Sequence, residues 1–261
     1  MKLLLKLLVL FLLTPLFLQA QNNYKPGYII GLKNDTLKGS IEYRADNNNP
    51  DHFLFIKAGS TSPEEYSNQN TTAVSIYNLD HFERFTTTVS SASITPGTLA
   101  LRLDSSYQTK TVFLRLITAG NNLSLYSFTD KLKTRFYILD VKNNILTELN
   151  YYVYLDEYNK ATNVKKFQRQ LYYFAAKYKT EDDGLQARIN RAEYNQSDLI
   201  DVIGRINGTT GQTPIAQGLK PSLRYFVGAG YKYNRLLFAG RADLLAEGIK
   251  KAAVRQQLPL V

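Results

Sequence analysis

Apolar and polar positions alternate with a period of two over the first half of the chain, and the period lengthens to three and four residues only after Asn163. The clearest alternation runs over residues 36–44. Leu37, Gly39, Ile41 and Tyr43 share one face, and Lys38, Ser40, Glu42 and Arg44 share the other. This is a strand with one buried face and one wet face. An apolar run at 27–33 precedes it, with Asn34-Asp35 between the two, where hairpin turn chemistry belongs. Residues 52–57, 73–77 and 82–89 read as further strands, the last carrying Thr86-Thr87-Thr88, whose β-branched side chains suit a pleated surface. The densest strand signal spans 110–138. It predicts strands at 111–118, 123–129 and 133–139, followed by one at 145–154. Short, regular turn spacing predicts an antiparallel meander rather than β-α-β units.

After Asn163 the pattern is helical. Val164, Phe167, Leu171, Phe174 and Tyr178 form one face, opposite Lys165, Lys166, Arg169 and Lys177. Asn163 is the expected N-cap. Thr180 and Asp183 have approximately the spacing of a capping box and predict a helix through Leu185, Ile189 and Ala192. Ser197 is the expected cap of a third helix, with Leu199, Val202, Ile203 and Ile206 inward and Asn207-Gly208 ending it. Residues 208–221 lack periodicity and read as a linker. Period two then returns at 223–233, where Leu223, Tyr225, Val227, Ala229, Tyr231 and Tyr233 alternate with small or charged residues. Both a lipid-facing barrel strand and an ordinary amphipathic strand have this form.

The expected fold class is α+β: an antiparallel β-rich domain at 21–160, a helical segment at 161–207, the linker, and the start of a β-barrel at 222–261. The first 20 residues have the layout of a signal peptide: Lys2 and Lys6, an apolar run at 7–13, Pro15, and a small residue at Ala20. The run is shorter than the roughly 20 residues a membrane-spanning helix needs. The expected location is therefore outside the cytoplasm.

Composition narrows the chemistry. There is no Cys, which excludes disulfides, thiolate metal sites, a thiol nucleophile and a Cys-linked lipid anchor. With 44% hydrophobic and 12% aromatic residues the chain is not a disordered tail. Lys and Arg number 32 against 22 acids. Export makes nucleic acid a poor candidate partner, and leaves an anionic envelope surface as the functional reading of that balance. Only residues 165–179 are locally basic, so dispersed, solvated charge is the simpler account. Sequons at Asn34, Asn70, Asn122, Asn195 and Asn207 matter only in a eukaryotic secretory route.

No chemical motif stands out. G-x-S-x-G, H-E-x-x-H and G-x-G-x-x-G are absent, and residues 211–220 fail the phosphate-loop spacing. His52 and His81 are the only imidazoles, each beside a Phe at a strand start, as strand-edge histidines commonly are. Glu64-Glu65, Asp156-Glu157 and Glu181-Asp182-Asp183 are sequence neighbours whose side chains diverge, whereas two-carboxylate catalysis needs facing groups. The last group suits a helix N-terminus. The 19 Tyr residues fit sheet and core packing, with a sugar- or peptide-binding surface as the functional alternative. No catalytic, cofactor-binding or metal-binding residue is expected.

Two stretches carry a resemblance. One is Gly-Tyr-Ile-Ile-Gly-Leu-Lys-Asn-Asp-Thr-Leu-Lys-Gly-Ser-Ile-Glu-Tyr-Arg at 27–44. The other is 112–130, with Phe113-Leu114-Arg115, Gly120 and Leu125-Tyr126-Ser127. They resemble exported proteins of Bacteroidota in which a β-rich domain and a short helical segment precede an outer-membrane β-barrel. The strand from Leu223 is similar to the first barrel strand. The resemblance implies a location and an architecture, and no catalytic residues. Residues 221–261 are too few for the eight strands, each about 9 to 11 residues long, of the smallest barrels. A fragment or truncated product is the expectation. The expected function is a non-enzymatic cell-envelope module, periplasmic or at the surface, with an outer-membrane tether and an unidentified protein or glycan ligand. A soluble secreted glycan- or peptide-binding protein is the alternative.

Overall fold

The structure, a computed structural model, describes residues 23–44, 48–180 and 184–209. The chain divides into Met1–Pro221 and Ser222–Val261, and every described residue belongs to the first unit. The expected signal peptide, the acidic group at 181–183, the linker beyond Thr209 and the barrel start at 222–261 lie outside the described residues.

The fold is α+β and dominated by strands. Among the described residues twelve strands are followed by three short helices: β1 Tyr24–Gly31, β2 Thr36–Glu42, β3 His52–Lys57, β4 Glu64–Ser67, β5 Thr71–Ile76, β6 Asp80–Ser90, β7 Tyr107–Thr118, β8 Leu123–Thr129, β9 Thr134–Asp140, β10 Ile145–Leu149, β11 Tyr152–Leu155, β12 Ala161–Val164, α1 Lys166–Lys177, α2 Leu185–Arg191 and α3 Gln196–Ile206. Ten strands form one sheet in the order β10-β9-β8-β7-β6-β5-β1-β2-β3-β4, and β11 and β12 form a separate hairpin. Every recorded pairing is antiparallel, as the short turns predicted. The sheet does not close into a barrel.

Its shape follows from one short connection. In pairing order β4 and β5 are separated by β1, β2 and β3, so a flat sheet would hold them roughly 19 Å apart. The chain from Ser67 to Thr71 spans at most about 14 Å when extended. It is not extended, because the Asn70 N–H turns back to donate to the Ser67 carbonyl at 3.2 Å. The first half of the sheet must therefore curl. The curl brings β3 across from β6 and β7, where the Phe53 ring lies 5.2 Å from both Phe82 and Phe113. Ile29, Ile41, Phe55, Val74 and Ile76 fill the space between. Gly27 and Gly39 face each other in register between β1 and β2. A Cβ on Gly27 would collide with the Ser75 carbonyl, and one on Gly39 with the Ile56 carbonyl.

The long β6–β7 hairpin has buried residues on both faces. Phe82 and Phe113 point into the first curl. Val89, Val112, Leu114 and Leu116 point the other way, against Tyr126, Phe128 and Tyr137. This second core closes on a polar cluster. Ser90 donates through both N–H and Oγ to the Glu148 carboxylate. The Arg135 guanidinium donates to the Ser90 carbonyl at 2.8 Å and pairs with Asp130 at 3.0 Å. The outer faces of β8 and β9 carry Leu123, Leu125, Phe136 and Ile138, which the three helices cover with Phe167, Leu171, Ile189, Leu199, Val202 and Ile203. Polar clasps orient this layer. Tyr194 accepts from the Phe136 N–H and donates to the Leu149 carbonyl. Asn207 accepts from the N–H groups of Asn122 and Leu123 and donates to the Leu123 carbonyl.

Helix starts differ from the sequence expectation. Asn163 pairs with Val153 inside β12, so α1 begins after Lys165 without a side-chain cap. Asn195, not Ser197, caps α3 by accepting from the Asp198 N–H. The predicted strand at 145–154 is two strands, β10 and β11, and β4 and β12 were not expected. The inward helical positions match: Phe167, Leu171, Leu199, Val202, Ile203 and Ile206 are all buried.

Two predictions follow from this packing. Asn207→Ala leaves three partly buried backbone groups without partners and should cost about 2 kcal/mol in chemical denaturation. Burial, and Arg135 second, lower the Lys133 ammonium to about 8 from 10.5. The unfolded chain therefore binds the extra proton between those values, and this group makes stability rise with pH from about pH 8. Lys133→Met should remove that rise, read as unfolding free energy between pH 8 and 10.

Candidate functional site

The open end of the first curl holds a cavity of about 200 Å³ between the end of β2, the start of β3, the β5–β6 turn and β7. Its walls combine aromatic side chains with a charge pair of which Asp80 is buried and Arg115 partly buried. Tyr43, Phe53 and Phe82 supply the apolar surface, and Asp80, Arg115 and His52 supply the polar groups. Each inward position follows from strand parity. Tyr43 continues the Leu37, Gly39, Ile41 face of β2. Asp80 lies two residues before Phe82 on β6, and Arg115 is the register partner of Phe82 on β7.

The β2–β3 loop reaches this end through Asn49, which fills the fork where β7 and β8 part. Its side-chain amide donates to the carbonyls of Phe113 and Ser127. Its own N–H donates to the Thr129 carbonyl, and its side-chain oxygen accepts from the Thr129 N–H. One residue thereby ties the wall carrying His52 to the strands carrying Arg115.

The electrostatics of the cavity rest on Asp80 and Arg115. The Asp80 side chain is 1% exposed and that of Arg115 17%, and Arg115 Nε lies 3.4 Å from Asp80 Oδ1. Neither of these two buried atoms has a hydrogen-bond partner among the described residues. The guanidinium is held with its carbon 5.4 Å from the centre of the Phe82 ring. Burial first, then the charge of the Asp80 carboxylate and a hydrogen bond to it, raise the Tyr43 phenol above its ordinary value, with Arg115 opposing them. Tyr43 therefore stays a neutral hydroxyl facing the pair.

Of the two histidines considered from sequence, His52 lies in the cavity wall and is exposed. His81 points to the opposite face of β6, where it lies 3.1 Å from Glu83, which accepts from the Tyr126 hydroxyl. The structure does not bring the two imidazoles together. Glu64 and Glu65 are exposed on the edge strand β4. Asp156 accepts from the N–H groups of Tyr158 and Lys160 and shapes the β11–β12 turn. The basic stretch is partly neutralised: Lys165 pairs with Glu193 and Lys177 with Asp140. Burial would raise the Asp140 carboxyl, but hydrogen bonds from Lys177, Tyr178 and Asn143 outweigh it and hold the group well below the usual carboxylate range. Among the described residues no group of three or more His, Asp or Glu could hold a metal ion. No helix among them is long and apolar enough to cross a membrane.

Sequence reasoning passed over Asp80 and Arg115. The available signal was a charge at an inward position of an apolar alternation, with Asp80 before Phe82 and Arg115 after Phe113. Comparison with protein-family models, curated proteins and solved structures finds no match.

Removing one member of the pair strands the other charge in the core. Asp80→Ala should destabilise the protein by about 3 kcal/mol. The double variant with Arg115→Ala should lose less than the sum of the two single variants, as measured by a denaturation double-mutant cycle.

Proposed function

We propose that this protein is a non-enzymatic binding module of the cell envelope, taking a small ligand in the cavity at the open end of the first curl. The observation that carries the reading is the Asp80–Arg115 pair. It sits among aromatic rings with Asp80 buried, and its Asp80 Oδ1 and Arg115 Nε have no hydrogen-bond partner among the described residues. Buried polar groups ordinarily find partners, and unsatisfied ones gather at functional sites. The second core supports the contrast, because Arg135 and Glu148 there are each held by several hydrogen bonds.

The signal-peptide pattern and the resemblance at 27–44 and 112–130 support export to the periplasm or outer membrane. The second reading, a soluble secreted binder of a glycan or peptide, uses the same cavity and differs in the tether. Fractionation of the native cell separates the two. We expect the protein in the envelope fraction, and recovery only in the soluble fraction would overturn the tether.

Ligand binding is tested by screening a library of small polar compounds against the intact protein, read as chemical-shift changes at the Arg115 Nε–H and the Tyr43 ring. We expect binders whose effect is lost in Asp80→Asn. A library that moves neither signal would overturn the binding reading.

A further inference from the structure

We propose that the groove between α1 and β10 docks an extended acidic segment of a partner protein. An apolar side chain of the segment enters the recess, and a neighbouring carboxylate meets Lys166 and Arg169. The groove shares no lining residue with the cavity of the first curl, so the inference stands whether or not that cavity binds a ligand.

The cations of α1 divide into two sets. Lys165 pairs with Glu193 and Lys177 with Asp140. Lys166 and Arg169 are exposed and pair with no carboxylate among the described residues. Both of these line the groove, and no Asp or Glu does. The Lys166 ammonium is held 5.3 Å from the centre of the Tyr152 ring. An anionic group entering here meets two positive charges and no negative one. Arg169 can take a carboxylate through two parallel N–H bonds.

The recess itself is apolar. Tyr173 is 61% exposed and packs edge-on against the buried Phe174, with ring centres 5.3 Å apart. Thr147 of β10 faces them across a volume of about 350 Å³. A flat anionic bilayer surface would touch the cations but could not reach Phe174, whereas a single side chain can enter. Length argues for a chain rather than a small acid. Lys166, Arg169, Gln170 and Tyr173 lie on one face of α1, and the seven steps from the first to the last cover about 10 Å. About three extended residues span that distance.

The groove is formed before a partner arrives. The Gln170 side-chain amide donates to the Glu148 carbonyl and accepts from the Asn150 N–H, both at 2.8 Å. This clasp fixes the spacing of α1 and β10, so little ordering cost falls on docking. The charges sit at the rim, where they set specificity and encounter rate more than affinity, and the aromatic recess supplies the anchor.

The test is an array of blocked heptapeptides of random sequence, probed with the intact protein, followed by titration of the best binders. Bound peptides should be enriched in Asp or Glu beside an apolar residue. The double variant Lys166→Glu with Arg169→Glu should weaken them at least about tenfold. Both positions are exposed and unpaired, and acidic residues suit the first turn of a helix, so the variant should fold. Lys110→Glu with Lys131→Glu makes the same change of net charge at exposed positions elsewhere and should leave binding unchanged. Tyr173→Ala should weaken binding by a factor that persists at high salt, where the rim charges are screened. No enrichment in acidic peptides, or equal loss in the two double variants, would overturn the proposal. So would binding to phosphatidylglycerol vesicles without binding to peptides, which would point to a membrane surface. Equal affinity for 3-phenylpropionate would overturn the chain and leave a site for small acids.

Discussion

The link between β4 and β5 is too short to cross a flat sheet, and most of the architecture answers to that limit. With four pairing steps between the two strands and only Asn68, Gln69 and Asn70 to join them, the first five strands must roll. Rolling brings inward side chains of β1, β2, β3 and β5 within reach of β6 and β7. Gly27 and Gly39 stand opposite each other where β1 pairs with β2, and a Cβ on either would meet a carbonyl of the flanking strand, β5 or β3. The roll is clamped where the link meets the hairpin. Asn68 donates from its side chain to the Thr111 carbonyl and accepts through its own carbonyl from Arg84.

A rolled sheet that ended at β7 would leave the other face of the β6–β7 hairpin in water, and that face carries Phe85, Val112, Leu114 and Leu116. The remaining strands cover it, and their own outer faces are covered in turn by the helices. The sheet thus alternates which face it buries along its length. At β8 it buries both, and Leu123 to Phe128 are buried without a break. Tyr126 and Tyr137 are each held in the second core by burial and a nearby carboxylate, Glu83 and Glu148 respectively, which push their phenols well above the ordinary range. Both tyrosines therefore work as neutral hydroxyls, hydrogen-bonded ends on large apolar bodies.

The two buried charge clusters differ in the way that separates structure from function. Around Arg135 and Glu148 the donors and acceptors are met from β6, β9 and the β8–β9 turn, and the cluster closes the second core. Around Asp80 and Arg115 the charges compensate each other while two buried polar atoms have no hydrogen-bond partner among the described residues. Both clusters sit on strands flanked by aromatic residues, so composition does not distinguish them. Hydrogen-bond completeness does.

Much of the local structure was legible in the chain. Alternation through Leu37, Ile41 and Tyr43 marked a strand and its inner face, and the steps from Phe167 to Phe174 and from Leu199 to Ile206 marked helices and theirs, because burial acts on each residue through a short repeat. The helix starts were misread for the same local reason. Asn163 has the chemistry of a cap, but a strand partner claimed its backbone first, and Asn195 capped α3 two residues ahead of the expected serine. The pairing order, the direction of each curl and the meeting of Asp80 with Arg115 were not legible. They depend on which strands a short link forces together and on which faces are left to cover, conditions met only when distant segments share one core. The sequence determined the elements and their inner faces. Tertiary structure decided which two charges would be buried side by side, and left a cavity beside them.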